Sequence, residues 1–139
     1  MGTINVGRVI LGGLLAGLVV NIGETILNLA VVTEGMEAAL HARNLPPVEG
    51  AAIGGFVILT FALGLVTIWL YAAIRPRFGP GPRTAAIAAL VVWFFAYLHQ
   101  GADLTLMGVI PAKVTMIGLM WGIVEIVIGA IAGAAVYKE

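Results

Sequence analysis

Four apolar segments, each long enough to cross a bilayer, leave this chain little choice of fold. They run from about Val6 to Val32, Gly50 to Ile74, Thr84 to Val109 and Val114 to Tyr137. A hydrocarbon core about 30 Å thick needs roughly 20 helical residues to span it, whereas a barrel strand needs only about 9–11 and alternates in polarity. These segments are longer and continuously apolar. In lipid their backbone polar groups have to be satisfied internally, so all four are predicted to be helices. The first resembles a signal peptide in placing Arg8 ahead of an apolar run, but Asn21-Ile22-Gly23-Glu24 stands where a small-residue cleavage site would be needed. It is read as a retained helix. The expected fold is all-α: a four-helix transmembrane bundle of antiparallel, up-down topology, forming one domain over residues 1–139.

Composition agrees. Hydrophobic residues make up 61% of the 139 and charged ones 10%, against roughly 25% charged in a soluble domain. Formal net charge is zero, so no basic field points to nucleic acid. The chain has no Cys, which excludes disulfides, thiolate catalysis and Cys-ligated metal.

The connections carry the orientation signal. The stretch from Thr33 to Glu49 is acidic and ends at Pro46–Pro47; its middle, Glu34 to Asn44, suits a short interfacial helix turning Met36, Leu40 and Leu45 towards lipid. The second loop, Arg75 to Arg83, is basic, and Pro76, Pro80 and Pro82 argue against helix there. Its Arg75, Arg77 and Arg83 read as anchors to anionic lipid. Trp69, Tyr71 and Tyr137 read as residues of the aromatic belt. The third connection is a tight turn around Pro111 and Lys113. Cytoplasmic termini place Arg8, Arg75, Arg77, Arg83 and Lys138 inside and leave Arg43 and Lys113 outside, five against two. The expected location is a bacterial inner membrane with both termini cytoplasmic.

At about 100° per residue, each helix gathers small and polar residues on one side. Gly13, Gly17, Asn21, Glu24 and Asn28 fall within roughly an 80° arc of the first helix. Thr60, Gly64, Thr67 and Tyr71 align in the second. Ala85, Ala88, Ala89, Val92 and Ala96 share a face with His99 and Asp103 in the third. Gly118, Gly122, Glu125, Gly129, Ala132 and Gly133 do so in the fourth. Small residues let helix backbones approach, and polar groups have to leave lipid; both pressures select the bundle interior or an oligomer interface.

Glu24, His99 and Glu125 also come out at similar depths, with Asn21 level and Asn28 and Asp103 nearer the outer surface. One buried carboxylate–histidine cluster is therefore expected, with Glu24, Asn21, Asn28, His99, Asp103 and Glu125 as candidate ion or ligand residues. No Lys or Arg lies at that depth to neutralise the acids, so they hold protons, a cation or water. Carboxylate with imidazole suits a divalent metal, which makes Glu24, His99, Asp103 and Glu125 weak metal candidates. A purely structural network that fixes helix register is the plain alternative. Glu34, Glu37 and His41 in the first loop have ligand-like spacing, although the solvated polar face of an interfacial helix is the far simpler explanation of them. Haem held by two His would need His41, outside the membrane, although His99 alone could be an axial ligand.

Catalytic motifs are absent: neither His-Glu-x-x-His nor Gly-x-Ser-x-Gly occurs, and no phosphate loop or Rossmann fingerprint. Glu24 after Leu11-Gly-Gly-Leu14 loosely resembles the first-helix Glu of small multidrug transporters. The acidic loop and the His99/Asp103 pair depart from that pattern, and the chain is assigned to no family. The expectation is a small non-enzymatic accessory or oligomer-forming membrane protein. Its partners would be lipids, further copies or a larger complex; no cofactor is specified. The alternatives are a small ion- or proton-coupled transporter or channel, and a membrane metalloenzyme.

Overall fold

A computed structural model describes residues 3–138; Met1, Gly2 and Glu139, at the ends of the expected 1–139 unit, lie outside the described residues. Those described form helices and no strand. Four helices are long and apolar enough to cross a membrane: α1 (Val6–Val31), α3 (Ala51–Phe78), α4 (Pro82–Leu106) and α5 (Ala112–Val136). The short α2 (Thr33–His41) occupies the first connection. Asn5 caps α1, its side-chain oxygen accepting from the Arg8 N–H at 3.2 Å. Two stretches widen into π-turns, Leu27–Val31 in α1 and Phe94–His99 in α4.

The basic second loop is shorter than its prolines suggested. Helix α3 runs through Pro76 to Phe78, and α4 begins at Pro82. Pro76 lies in the last turn of α3, where the missing N–H costs a single bond. Pro82 occupies the first helical position, where its fixed φ suits the helix and no N–H is required. Only Gly79, Pro80 and Gly81 remain between them, with φ of 83° at Gly79 and 120° at Gly81. Both glycines hold left-handed conformations that a side chain would strain.

α1 packs against α3 and α5, and α4 packs against α5 and α3. The seams are made by backbone approach. A Cβ on Gly64 would collide with the Gly13 carbonyl and the Gly17 amide, and one on Gly12 with the Gly133 carbonyl. Ala85, Ala88 and Ala89 are fully buried, so the interior is filled by small side chains and by Ile68 and Ile126. Large apolar residues face outwards instead, Ile58 being 70% exposed. That inversion suits a hydrocarbon surround. Gly118 is the exception to the expected glycine face, since nothing lies within 4 Å of a Cβ placed there.

The two ends of the bundle differ. Near the chain termini, Tyr71 and Tyr137 meet edge to face at 5.9 Å, with the Arg75 guanidinium 5.5 Å from the Tyr137 ring centre. The Tyr137 hydroxyl accepts from the Asn5 N–H and the Tyr71 hydroxyl from the Gly81 N–H, each at 3.2 Å. Both tyrosines are buried and seal the bundle end, where the sequence suggested belt positions; Trp69 is exposed as expected. At the opposite end every residue from Ala51 to Leu59 of α3 is exposed. There α2 is fastened to the α4–α5 turn, with Gly35 against Val114 and the Arg43 guanidinium donating to the Ala39 and Gly108 carbonyls.

Gly64→Val should destabilise the bundle by about 1–3 kcal/mol, because the added groups meet backbone that cannot step aside. Gly118→Ala, which meets nothing, should be tolerated. Reversible unfolding in mixed detergent micelles distinguishes the two, and equal stabilities would refute the packing described.

Candidate functional site

The site is built around Glu125, which projects from the middle of α5 and is 6% exposed. Its Oε1 accepts from the Tyr97 hydroxyl of α4 at 3.0 Å, and its Oε2 accepts from Trp121 Nε1, one turn earlier, at 3.1 Å. The same indole N–H is shared with the Gly23 carbonyl of α1, also at 3.1 Å. A Cβ on Gly23 would strike the Glu125 carboxylate, and one on Gly122 would strike the Tyr97 ring. Glycine at these two positions makes room for the polar groups as well as for the helices.

Glu24 is half-buried on α1, next in sequence to Gly23, whose backbone packs against the Glu125 carboxylate, so the two acids are neighbours. Asn28 Nδ2 donates to Glu24 Oε2 at 3.1 Å and to the Glu24 carbonyl at 2.8 Å. Two carboxyl groups this close are stable when they share a proton or a cation. Asn21 turns to its own helix and to α3, donating to the carbonyls of Gly17 at 2.9 Å and Val57 at 3.4 Å.

His99 and Asp103 are placed apart from this centre. They pair with each other, His99 Nδ1 to Asp103 Oδ2 at 3.1 Å, with side chains 64% and 57% exposed. The expected single carboxylate–histidine cluster is thus not formed; of its acids and imidazole only Glu125 is buried. The physical reason is the π-turn at Phe94–His99. An i→i+5 turn holds one more residue than an α-turn, so the helix beyond it is displaced by about one position, roughly 100°. The inward face that runs through Ala88 and Val92 therefore continues through Tyr97, Gly101 and Thr105. Gly101 lies against Thr115, and the Thr105 and Thr115 hydroxyls are 2.6 Å apart.

Tyr97 is the site residue that sequence reasoning missed, whereas Trp121 reads from the sequence as a deep aromatic suited to packing or to a ligand wall. Its pairing with Glu125, four residues on, was open to discovery from helical spacing alone. Tyr97 was hidden by the π-turn. Among the described residues no group of three or more His, Cys, Asp or Glu is arranged to hold a metal ion, which leaves the candidate metal residues Glu24, His99, Asp103 and Glu125 without a shared centre. Glu34, Glu37 and His41 lie on α2, outside this centre.

Between α1 and α5 lies an open groove of about 760 Å³, with walls that include Val19, Ile26, Met116, Met120 and Val124. Trp121, Gly23 and Glu125 belong to the same lining, and Glu125 is its only buried side chain.

Tyr97→Phe and Trp121→Phe should each cost about 0.6–1.7 kcal/mol, the range for polar contacts between membrane helices. Unfolding in mixed micelles checks the size. A double-mutant cycle with Glu125→Gln should show coupling, and strictly additive losses would mean that the three side chains do not act together. No protein family, curated protein or solved structure matches the chain, so the site has to be read from its own geometry.

Proposed function

We propose that this chain is a small non-enzymatic protein of the cell inner membrane, with four antiparallel spans and cytoplasmic termini, serving as an oligomer-forming or accessory subunit. The observation that carries this reading is that both oxygens of the Glu125 carboxylate are hydrogen-bonded within the bundle, one to Tyr97 and the other to Trp121. Through them α1, α4 and α5 are held in one register, which is a structural task. Opposed helix directions are supported by descending contact order: Gly12 meets Gly133, Ala16 meets Gly129 and Gly23 meets Glu125. Cytoplasmic termini rest on the distribution of basic residues.

Association is supported by the exposed start of α3, where a Cβ placed on Gly54 or Gly55 would have nothing within 4 Å, so that another helix can approach closely. Because the chain has no Cys, single cysteines report cleanly. Gly55→Cys should form disulfide-linked species in native membranes, and native mass spectrometry should find oligomers or a partner; an uncrosslinked, partner-free monomer would overturn the subunit reading. In the same series, impermeant maleimide applied from outside should label Glu37→Cys and spare Arg77→Cys; the reverse pattern would invert the topology.

A second reading, proton- or ion-coupled transport, is favoured by the meeting of Glu24 and Glu125 at a depth with no basic neighbour. Reconstituted vesicles would then lose an ion or proton flux on Glu24→Gln and on Glu125→Gln, and an unchanged flux would reject it.

A further inference from the structure

The outward side of α4 carries a polar pair where hydrocarbon is expected. His99 Nδ1 lies 3.1 Å from Asp103 Oδ2, and the two side chains are 64% and 57% exposed. Both belong to the span. His99 comes two residues after Tyr97, whose hydroxyl reaches the buried Glu125, and seven before the helix end at Leu106, about 10 Å. On either side of the pair the same helix exposes Val91, Phe95, Leu106 and Met107. An acid and an imidazole set in an apolar stripe at that depth are costly to leave against lipid. Bonding to each other still leaves Nε2 and the second carboxylate oxygen to be satisfied.

The geometry of the pair indicates what completes it. Tetrahedral zinc, with bonds of about 2.0–2.2 Å, sets neighbouring ligand atoms about 3.3–3.6 Å apart. The 3.1 Å between the imidazole nitrogen and the carboxylate oxygen is close to one edge of such a tetrahedron. Spacing of i, i+4 keeps that edge on one helix face. Among the described residues no three His, Cys, Asp or Glu are grouped to hold a metal, so the chain supplies this edge alone. It is half of a site, and a two-fold axis generates the other half.

We propose that two copies of this chain pair along α4 and hold one zinc ion between them, through His99 and Asp103 of each copy. Zinc takes the place of the proton between Nδ1 and Oδ2, and each imidazole then carries its proton on Nε2. Charge selects the occupant. Two carboxylates and two neutral imidazoles balance a divalent ion to zero, and a neutral, closed centre is what hydrocarbon tolerates. Mixed nitrogen and oxygen donors suit zinc, whereas calcium and magnesium take oxygen alone. The exposed Val91 and Phe95 lie beside the pair as apolar packing surface for the second copy. Glu37 and His41 on α2 have the same spacing, but they lie outside the spans, where water solvates them.

The inference rests on the oligomer-forming reading and adds an ion to it. Zinc alone is titrated into the full chain in mild detergent, with binding followed by competition against a zinc-sensitive dye and mass by native mass spectrometry. One zinc should bind per two chains, on a dimer that EDTA dissociates. His99→Ala should weaken zinc at least about 100-fold, more than the loss of an outer-shell partner costs, and should abolish the zinc-dependent dimer. Asp103→Asn should act in the same direction, and His41→Ala should change neither. Unfolding in mixed micelles confirms that each variant is folded. One zinc per monomer, or binding that His41→Ala removes and folded His99→Ala keeps, overturns the proposal. A dimer that forms equally in zinc and in EDTA, with no zinc bound, removes the ion and leaves the oligomer-forming reading intact. A monomer under both conditions removes the ion and counts against that reading as well.

Discussion

A carboxylate at bilayer depth has to be partnered from within the protein, because hydrocarbon offers it nothing. Glu125 meets that requirement with donors from two helices, Tyr97 on α4 and Trp121 on its own, while the shared indole N–H reaches the α1 backbone at Gly23. One acid thereby sets the relative positions of three spans. Water cannot substitute for these partners in lipid, so the helices are bound to bring them within reach.

The small residues make that reach possible. Where Gly12 faces Gly133, and Gly64 faces Gly13 and Gly17, two backbones come closer than any side chain allows. At Gly23 and Gly122 the same economy of atoms serves a different end, opening space for a carboxylate and for a tyrosine ring. The pressure for close packing and the pressure to shelter polar groups are thus met by glycines in one band of the structure. That accounts for an interior in which alanine and glycine lie inside and the large aliphatics outside, the reverse of a water-soluble core.

Much of this architecture was legible in the sequence because bilayer thickness fixes the length of an apolar run. The four spans, the loop helix and the inward placement of Ala85, Ala88, Ala89 and Gly133 follow from length and a constant 100° period. The depth agreement of Glu24 with Glu125 was equally readable. What escaped was a break in that period. No residue type announces the π-turn at Phe94–His99, and a fixed wheel carried past it turns His99 and Asp103 inwards while hiding Tyr97. Gly118 misled differently, since helical spacing shows which residues share a face but not how far along that face a neighbour extends. Pro76 reads as a helix breaker only when the rule is applied without regard to how near the helix end it lies.

The contrast between the two ends of the bundle has a mechanical consequence. Around Tyr71, Tyr137, Asn5 and Gly81 the backbone is stitched by side-chain hydroxyls and a stacked guanidinium, and no span can swing there without unpicking them. At the other end the first turns of α3 stand exposed along their whole length. Displacements of α3 therefore pivot about the sealed end and grow along its length, as with the arm of a clothes peg. Asn21, which touches the α3 backbone at Val57, lies on that arm's path one helical turn from Glu24. Leverage applied at the free end is thus delivered beside the acid pair.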